Sequence, residues 1–261
     1  MTERAEHTSI PVTPEVVKTG ELAPEQPREL TREDFEHCVE DIDQAFEYGL
    51  LHDWSPRKIH AEVHREYVVE AEDPRLARFA DLLLNAENAA RAQHGLDRMQ
   101  EQDKRDTADY KRLKRATIGY NHLLRDVIAE QPRLFSREQL SRWLETSSGD
   151  RTWSEQLMRG MVAEVAVAQR LEHVPGVRGV RYSTPEEEHQ GVDVVAELAD
   201  GGECRIDVKF GDRQRQSDVY AEPGGMVVRI NPHEVAGFGI APASREAVNR
   251  RLVRAVAHPR P

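Results

Sequence analysis

Residues Gly191–Gly211 read GVDVVAELADGGECRIDVKFG, and the fold of the chain turns on this stretch. Two runs rich in Val and Ile, Val192–Leu198 and Cys204–Phe210, flank the turn residues Ala199-Asp200-Gly201-Gly202. Glycine-rich turns between β-branched runs predict a hairpin. Side chains two apart on a strand share a face. Ile206, Val208 and Phe210 therefore point one way, while Arg205, Asp207 and Lys209 point the other. Asp193 stands near the start of the partner strand. Two carboxylates and an ammonium on adjacent strands suit a divalent cation such as Mg²⁺, which keeps several waters and takes one or two protein carboxylates.

Strand parity sharpens the expectation. Residues directly opposite in an antiparallel pair share a face, and their numbers sum to a constant. A two-residue Asp200-Gly201 turn pairs Asp193 with Val208 and puts it on the wrong face. A three-residue Asp200-Gly201-Gly202 loop pairs Val195 with Asp207 and Asp193 with Lys209, with Gly202 supplying the left-handed residue. A metal site thus predicts the longer loop, or a bulge of the same effect. A simple ion pair across the hairpin needs neither.

A strand-initial Asp followed by Asp-x-Lys on the next strand resembles the PD-(D/E)XK nuclease superfamily, also called restriction-endonuclease-like. The resemblance covers roughly the last 110 residues, the size of a small domain. Gly191-Val192-Asp193 lacks the Pro of the family's name, and Asp207-Val208-Lys209 is the D variant of its second element. The resemblance implies an α/β (α+β) fold with a central mixed β-sheet flanked by helices. It also implies a hydrolase: a metal-dependent nuclease or endonuclease that cleaves phosphodiester bonds with Mg²⁺ or Mn²⁺. DNA is the expected partner ahead of RNA. Asp193 would be the central metal ligand, Asp207 the second, and the carbonyl of Val208 a backbone ligand. Lys209 would position or activate the attacking water.

A helix preceding the catalytic strands often supplies a further acidic ligand in this family. Thr152-Trp153-Ser154-Glu155 has capping-box spacing and opens a helix running to about His173. Leu157, Met161, Ala168 and Leu171 form one stripe, and Glu164 lies on it. A carboxylate on an apolar stripe is costly unless paired or metal-bound. Glu164 is therefore either the further metal ligand or a buried Glu held by an arginine; the nearby Asp-x-Lys hairpin favours the ligand. Downstream, Gln216 and Tyr220 have the spacing of a Gln-x-x-x-Tyr element seen in some branches of the superfamily, which would make them accessory residues. The alternative is Tyr220 packed on the sheet and Gln216 in solvent. His233 and His258 are further proton-transfer candidates that no spacing ties to the site.

Composition bears on the lysine. Of 36 basic residues only six are Lys, and Lys209 is the only one after residue 114. A compact ammonium can orient or deprotonate a water where an always-charged guanidinium cannot. The net charge of −11 is concentrated before residue 151, leaving −1 for residues 151–261. No global basic field announces nucleic acid, so a binding surface must be local. Cys38 and Cys204 give no disulfide framework, and neither a signal peptide nor a membrane span is visible. A cytoplasmic, intracellular protein without a membrane partner is expected.

The rest of the chain divides into three parts by pattern. Residues 1–30, with four prolines and no apolar period, read as a flexible leader. Residues 31–149 read as a helical domain and 150–261 as the nuclease-like domain. Thr31 caps a helix to about Leu51, Ser55-Pro56 and Asp73-Pro74 open two more, and Ser136 opens another. A long helical stretch to about Glu130 has a break near Gly95. Lys104, Arg105, Lys111, Arg112, Lys114 and Arg115 cluster near Tyr110 and Tyr120, either along phosphates or as a solvated face with interleaved Asp. The helical region is expected to serve homo-oligomerisation or substrate selection, so a chain starting near Asp150 should keep its site folded. In the C-terminal part, Arg178–Ser183 reads as a strand, Glu186-Glu187-Glu188 as a solvated acidic run and Asp212–Glu222 as polar and helical. Met226–Ile230 reads as a strand and Ser244–His258 as a closing helix. Two other classes remain open: a catalytically inactive nuclease fold that binds nucleic acid, and a helical assembly protein.

Overall fold

The computed structural model describes residues 28–99, 107–131, 133–211, 219–222 and 225–257. The leader expected over residues 1–30 lies almost wholly outside the described residues. From Thr31 onward the chain forms one compact unit of mixed α/β architecture. No helix among the described residues is long and apolar enough to cross a membrane.

Local capping chemistry sets the helix starts. Helix α1 (Arg32–Leu51) begins after Thr31, whose N–H donates to the Asp34 carboxylate at 2.7 Å. Helix α2 (Pro56–His64) follows Ser55, and α3 (Pro74–Arg98) follows Asp73, each with proline in the first helical position. A short π-helical turn, Arg65–Val69, connects them. Helix α4 (Ala108–Glu130) follows Thr107, and α5 (Arg137–Ser148) runs from Ser136 to Gly149 at φ 68°. The break expected near Gly95 instead follows Arg98, because Gly95 has a different task. A Cβ there would stand 2.8 Å from Leu113 Cδ1, so glycine admits the approach of α4 to α3. Phe35, Phe79, Phe135 and Trp143 meet edge-on or stacked to form the aromatic centre of this layer.

Helix α6 (Arg151–Leu171) is capped by Asp150, whose carboxylate accepts the Trp153 N–H at 2.9 Å. The expected Thr152–Glu155 box does not form; Glu155 instead pairs with Arg151 at 2.8 Å. The helix is buried on two sides rather than along one stripe. Ala163, Ala166, Val167 and Leu171 enter the core shared with the sheet. Trp153, Met158, Met161, Val162 and Val165 are buried outside that core, and the Trp153 ring lies 5.5 Å from Tyr120 of α4. A helix apolar nearly all round belongs in a protein interior.

The remaining elements are β1 (Val177–Tyr182), α7 (Pro185–His189), β2 (Val194–Leu198), β3 (Glu203–Phe210), β4 (Val219–Glu222), β5 (Gly225–Ile230), a small ribbon of β6 (Val235–Ala236) with β7 (Gly239–Ile240), and α8 (Arg245–Ala257). The main sheet has the order β1-β2-β3-β5-β4 and is mixed, with β3 and β5 parallel. Val194, Ala196, Cys204, Ile206 and Val208 line the face packed against α6 and against Val248 and Leu252 of α8. The expectation of a helical Asp212–Glu222 is corrected over its last four residues, where β-branched Val219 begins an edge strand beside β5. Residues 212–218 lie outside the described residues.

The expected division at residue 149 is not a break in packing, because α6 joins the helical layer to the sheet. A chain beginning at Asp150 exposes Trp153, Met158, Met161, Val162 and Val165 at once. We expect that fragment to lose cooperative urea unfolding and to bind a hydrophobic dye, whereas a chain beginning at Arg28 should unfold cooperatively. A cooperative transition from the short fragment would refute the two-sided role of α6.

Candidate functional site

Hairpin geometry places the first carboxylate. Register pairs Val194 with Ile206, Val195 with Arg205 and Ala196 with Cys204. Leu198 N–H donates to Gly202 O at 2.8 Å, closing a three-residue loop over Ala199-Asp200-Gly201. The loop has the expected length but lies one residue earlier, because Gly201 takes the positive φ of 89°. Asp200 then accepts the Gly202 N–H at 3.0 Å. This slides the register by two residues relative to the expectation, so Asp193 does not stand opposite Lys209. Asp193 N–H also donates to Ile206 O at 2.9 Å, although Val194 is already the partner of Ile206. Two residues thus face one, which is a β-bulge. The bulge turns the Asp193 carboxylate into the ladder, where Oδ2 accepts the Val208 N–H at 2.7 Å. The contact to Val208 runs through its amide.

Asp207 and Lys209 follow on one face of β3, with Nζ 2.7 Å from Asp207 Oδ1. Lys209 is half-exposed, and Asp207 retains 16 % of its side-chain surface, so both can meet a ligand from solvent. Val227 of β5 stands beside Asp207 and Tyr220 of β4 beside Val227, placing Tyr220 in the same row two strands away. Gln216 and His258 lie outside the described residues. His233 sits in a separate 3-10 turn, Pro232–Glu234.

Glu164 is held by an arginine from the helical layer, Arg125 of α4, at 2.7 Å. Arg125 is 1 % exposed, lies 3.5 Å from Glu188 and sits 4.9 Å from the Tyr182 ring. Its Nε and Nη1 carry no hydrogen bond among the described residues. Glu188 also accepts from Asn121 at 3.0 Å and lies 2.9 Å from His122. Glu187 of the same run forms a bidentate pair with Arg181, at 2.7 and 2.9 Å. The acidic run is therefore not simply solvated. Thr184 caps α7 and turns Glu187 and Glu188 inward onto arginines. Arg125 and Glu188 escaped sequence reasoning. Neither has a motif, and their only signal was charge at positions flanked by apolar α4 residues or beside a proline-capped turn.

Electrostatics record crowding. Burial, then the neighbouring Glu164 and Asp207, push the Asp193 carboxyl up to about 8, against the opposing Val208 N–H and Lys209. Burial also raises Glu164, although Arg125 works against it. Glu188 is held below its ordinary value despite burial, through His122, Arg125 and Asn121. Burial would lower Arg125, but Glu164, Glu188 and Asp193 keep it charged.

Oxygen donors of this kind fit a hard cation, which would relieve the burial and like-charge crowding that favour the protonated form of Asp193. Mg²⁺ needs only one or two carboxylates. Glu164 fits less directly, since Arg125 already holds its Oε2. Among the described residues, no three His, Cys, Asp or Glu side chains form a ready metal cage. The basic cluster is only partly described: Lys104 and Arg105 lie outside, Arg112 pairs with Asp109, and Tyr120 is buried with its OH on Leu82 O. Compared with known proteins, the chain matches no family model, no curated protein and no solved structure.

Two measurements probe this geometry. Asp193 holds a proton in the fold between about 4, the ordinary unfolded value, and about 8. Its contribution is fully present below that window and is lost as pH rises through it. In a chelator, the urea midpoint should therefore fall from pH 5 to pH 8.5, and Asp193→Asn, which keeps an oxygen for Val208, should flatten the decline. Removing Arg125 strands two carboxylates in the interior, which costs about 3–5 kcal/mol for a broken buried pair. Arg125→Met should show that loss in urea unfolding, and adding Glu164→Gln should recover part of it.

Proposed function

We propose that the chain is a Mg²⁺- or Mn²⁺-dependent nuclease of restriction-endonuclease-like arrangement, acting on nucleic acid, DNA ahead of RNA. One observation carries the reading: the Asp193 carboxylate, held on the Val208 N–H of β3, lies near enough to Asp207, Glu164 and Lys209 for their charges to act on it, with the Lys209 ammonium on Asp207. The mixed sheet, with α6 and α8 on its apolar face, supports the fold-level part.

A divalent cation would supply Lewis acidity, polarising a phosphate and making a water acidic enough to attack it. Asp193 and Asp207 would hold that cation, with Asp193 kept in place by the Val208 N–H. Glu164 would complete the donor set on release from Arg125. Lys209, anchored on Asp207, would hold the attacking water and take part in moving its proton. Asp207 thus has two tasks, ligand and anchor, that its two oxygens can divide.

A second reading is favoured by the Arg125–Glu164 pair, which occupies one expected ligand. On that reading the carboxylates are ion-paired structure, and the fold binds nucleic acid without cutting it. The exposed Leu50, Leu51 and Val69 of the helical layer suit the self-association expected of that region.

Cleavage assays with plasmid, linear and branched DNA and with RNA, with and without Mg²⁺ or Mn²⁺, decide between the readings. Lys209→Ala should abolish cleavage with the fold intact by circular dichroism. Lys209→Arg should be strongly impaired, because its wider fork cannot occupy the same point or give up a proton. Asp207→Asn should recover part of its activity at raised Mn²⁺. Wild-type rates from Lys209→Ala would make the hairpin structural.

A further inference from the structure

Between α3, α4 and α6 lies a cavity of about 240 Å³ that ends on Glu164. Its walls combine three kinds of group. Gln93, Asn121 and Gln156 bring side-chain amides from three different helices, and Tyr120 and Trp153 bring aromatic rings. Glu164 brings a carboxylate whose Oε2 is turned to Arg125 and whose Oε1 lies toward Gly160.

Gly160 is the informative residue. Glycine inside a helix costs about 0.5–1 kcal/mol relative to alanine; Gly119 of α4 stands in open space at the surface, whereas Gly160 lines the cavity. Gly49 and Gly95 serve close packing, since a Cβ would approach Ile59 at 2.6 Å and Leu113 at 2.8 Å. At Gly160 a Cβ would meet only Glu164 Oε1, at 4.0 Å. No neighbouring helix forces the glycine. It leaves the cavity wall bare one turn before the carboxylate.

Size and chemistry select the occupant. Pockets for drug-sized ligands run from about 300 to 1,000 Å³, so 240 Å³ suits one ring system rather than a dinucleotide cofactor. Amides offer a donor and an acceptor together, the pairing that base edges present, and the carboxylate accepts a ring or exocyclic N–H. Aromatic walls accept a flat ring. Enzymes that act on nucleic acid read an extruded base with this combination of edge hydrogen bonds and aromatic or apolar walls.

We propose that the cavity is a binding site for a single unstacked nucleobase. Glu164 belongs both to the cavity and to the carboxylate group at Asp193, so a base held there sets the strand beside the candidate cleavage site. That link rests on the nuclease reading, whereas occupancy of the cavity does not. On that reading the substrate carries an unpaired nucleotide, as at an end, a bulge or a mismatch.

Binding is tested with the full chain in EDTA, so that a protein that never cleaves still reports. The probes are a duplex carrying one unpaired 2-aminopurine, the same duplex fully paired, and each of the four deoxynucleoside monophosphates as competitor. Wild type should change the fluorescence of the unpaired probe saturably, with weaker response to the paired duplex. Gly160→Leu, which fills the cavity, should weaken that binding at least tenfold. Gly160→Ala serves as the fold control, with an unchanged or higher melting temperature. If Gly160→Leu lowers the melting temperature, Gln156→Ala at the exposed rim carries the same test. Binding of monophosphates without the oligonucleotide supports the site and assigns it to free nucleotides. The proposal is overturned if wild type binds neither probe, or if the folded cavity variants bind as wild type does.

Discussion

A guanidinium removed from water is the constraint on which the other parts rest. Arg125 is almost completely buried, and an isolated ion in that position would cost several kcal/mol. It is tolerable only because Glu164 of α6 and Glu188 of α7 close on it from two elements, with the Tyr182 ring of β1 beside it. The helical layer, the central helix and the sheet are thereby held at one point. That point adjoins Asp193. The same charge that permits burial of Arg125 permits burial of the carboxylates, so fold and site share one electrostatic solution.

The segment from Thr184 to Val194 shows how this solution positions the hairpin. The Thr184 cap and Pro185 begin a single turn of helix, which sends Glu187 to Arg181 and Glu188 to Arg125. Gly191, at φ 87°, then reverses the chain, and the Val192 N–H returns to Glu187 O at 3.0 Å. Asp193 enters the sheet with its backbone bulged and its carboxylate on the Val208 N–H. Had β2 continued regularly, the register would have set Val192 opposite Val208. The side chain of Asp193 takes that backbone partner's place, so ending the strand and aiming the carboxylate are one event.

Local chemistry was the legible part of the sequence. Ser55, Asp73 and Ser136 cap where their positions say, and the alternation of Cys204–Phe210 gives the buried and polar faces of β3. Loop length was legible too, since a run containing two glycines can supply the left-handed residue. Which glycine does so was not, because Asp200 reaching the Gly202 N–H selects Gly201, and that choice is a side-chain contact. The Asp193 bulge depends on α7, whose inward carboxylates depend on Arg125, 39 residues before Glu164 in the chain. Such a partnership leaves no period and no spacing. Helix α6 misled for a related reason: its capping box and stripe are local features, while burial on its second side comes from α4 and α5.

On the nuclease reading, Glu164 serves two cations that compete for it. A ligand ion would draw its carboxylate from Arg125, and a stranded buried guanidinium would normally forbid the exchange. The geometry lowers that barrier. Glu188 stands 3.5 Å from the same Nη2, and its own charge is secured by Asn121 and His122. The Tyr182 face lies beneath the guanidinium, 4.9 Å away. Arg125 can therefore lose one partner without becoming an unpaired ion, and Glu164 can be shared without the interior carrying uncompensated charge in either arrangement. The helical layer is thus part of the electrostatics of the site, and its acidity does not weaken that role, because what it contributes there is one buried positive charge.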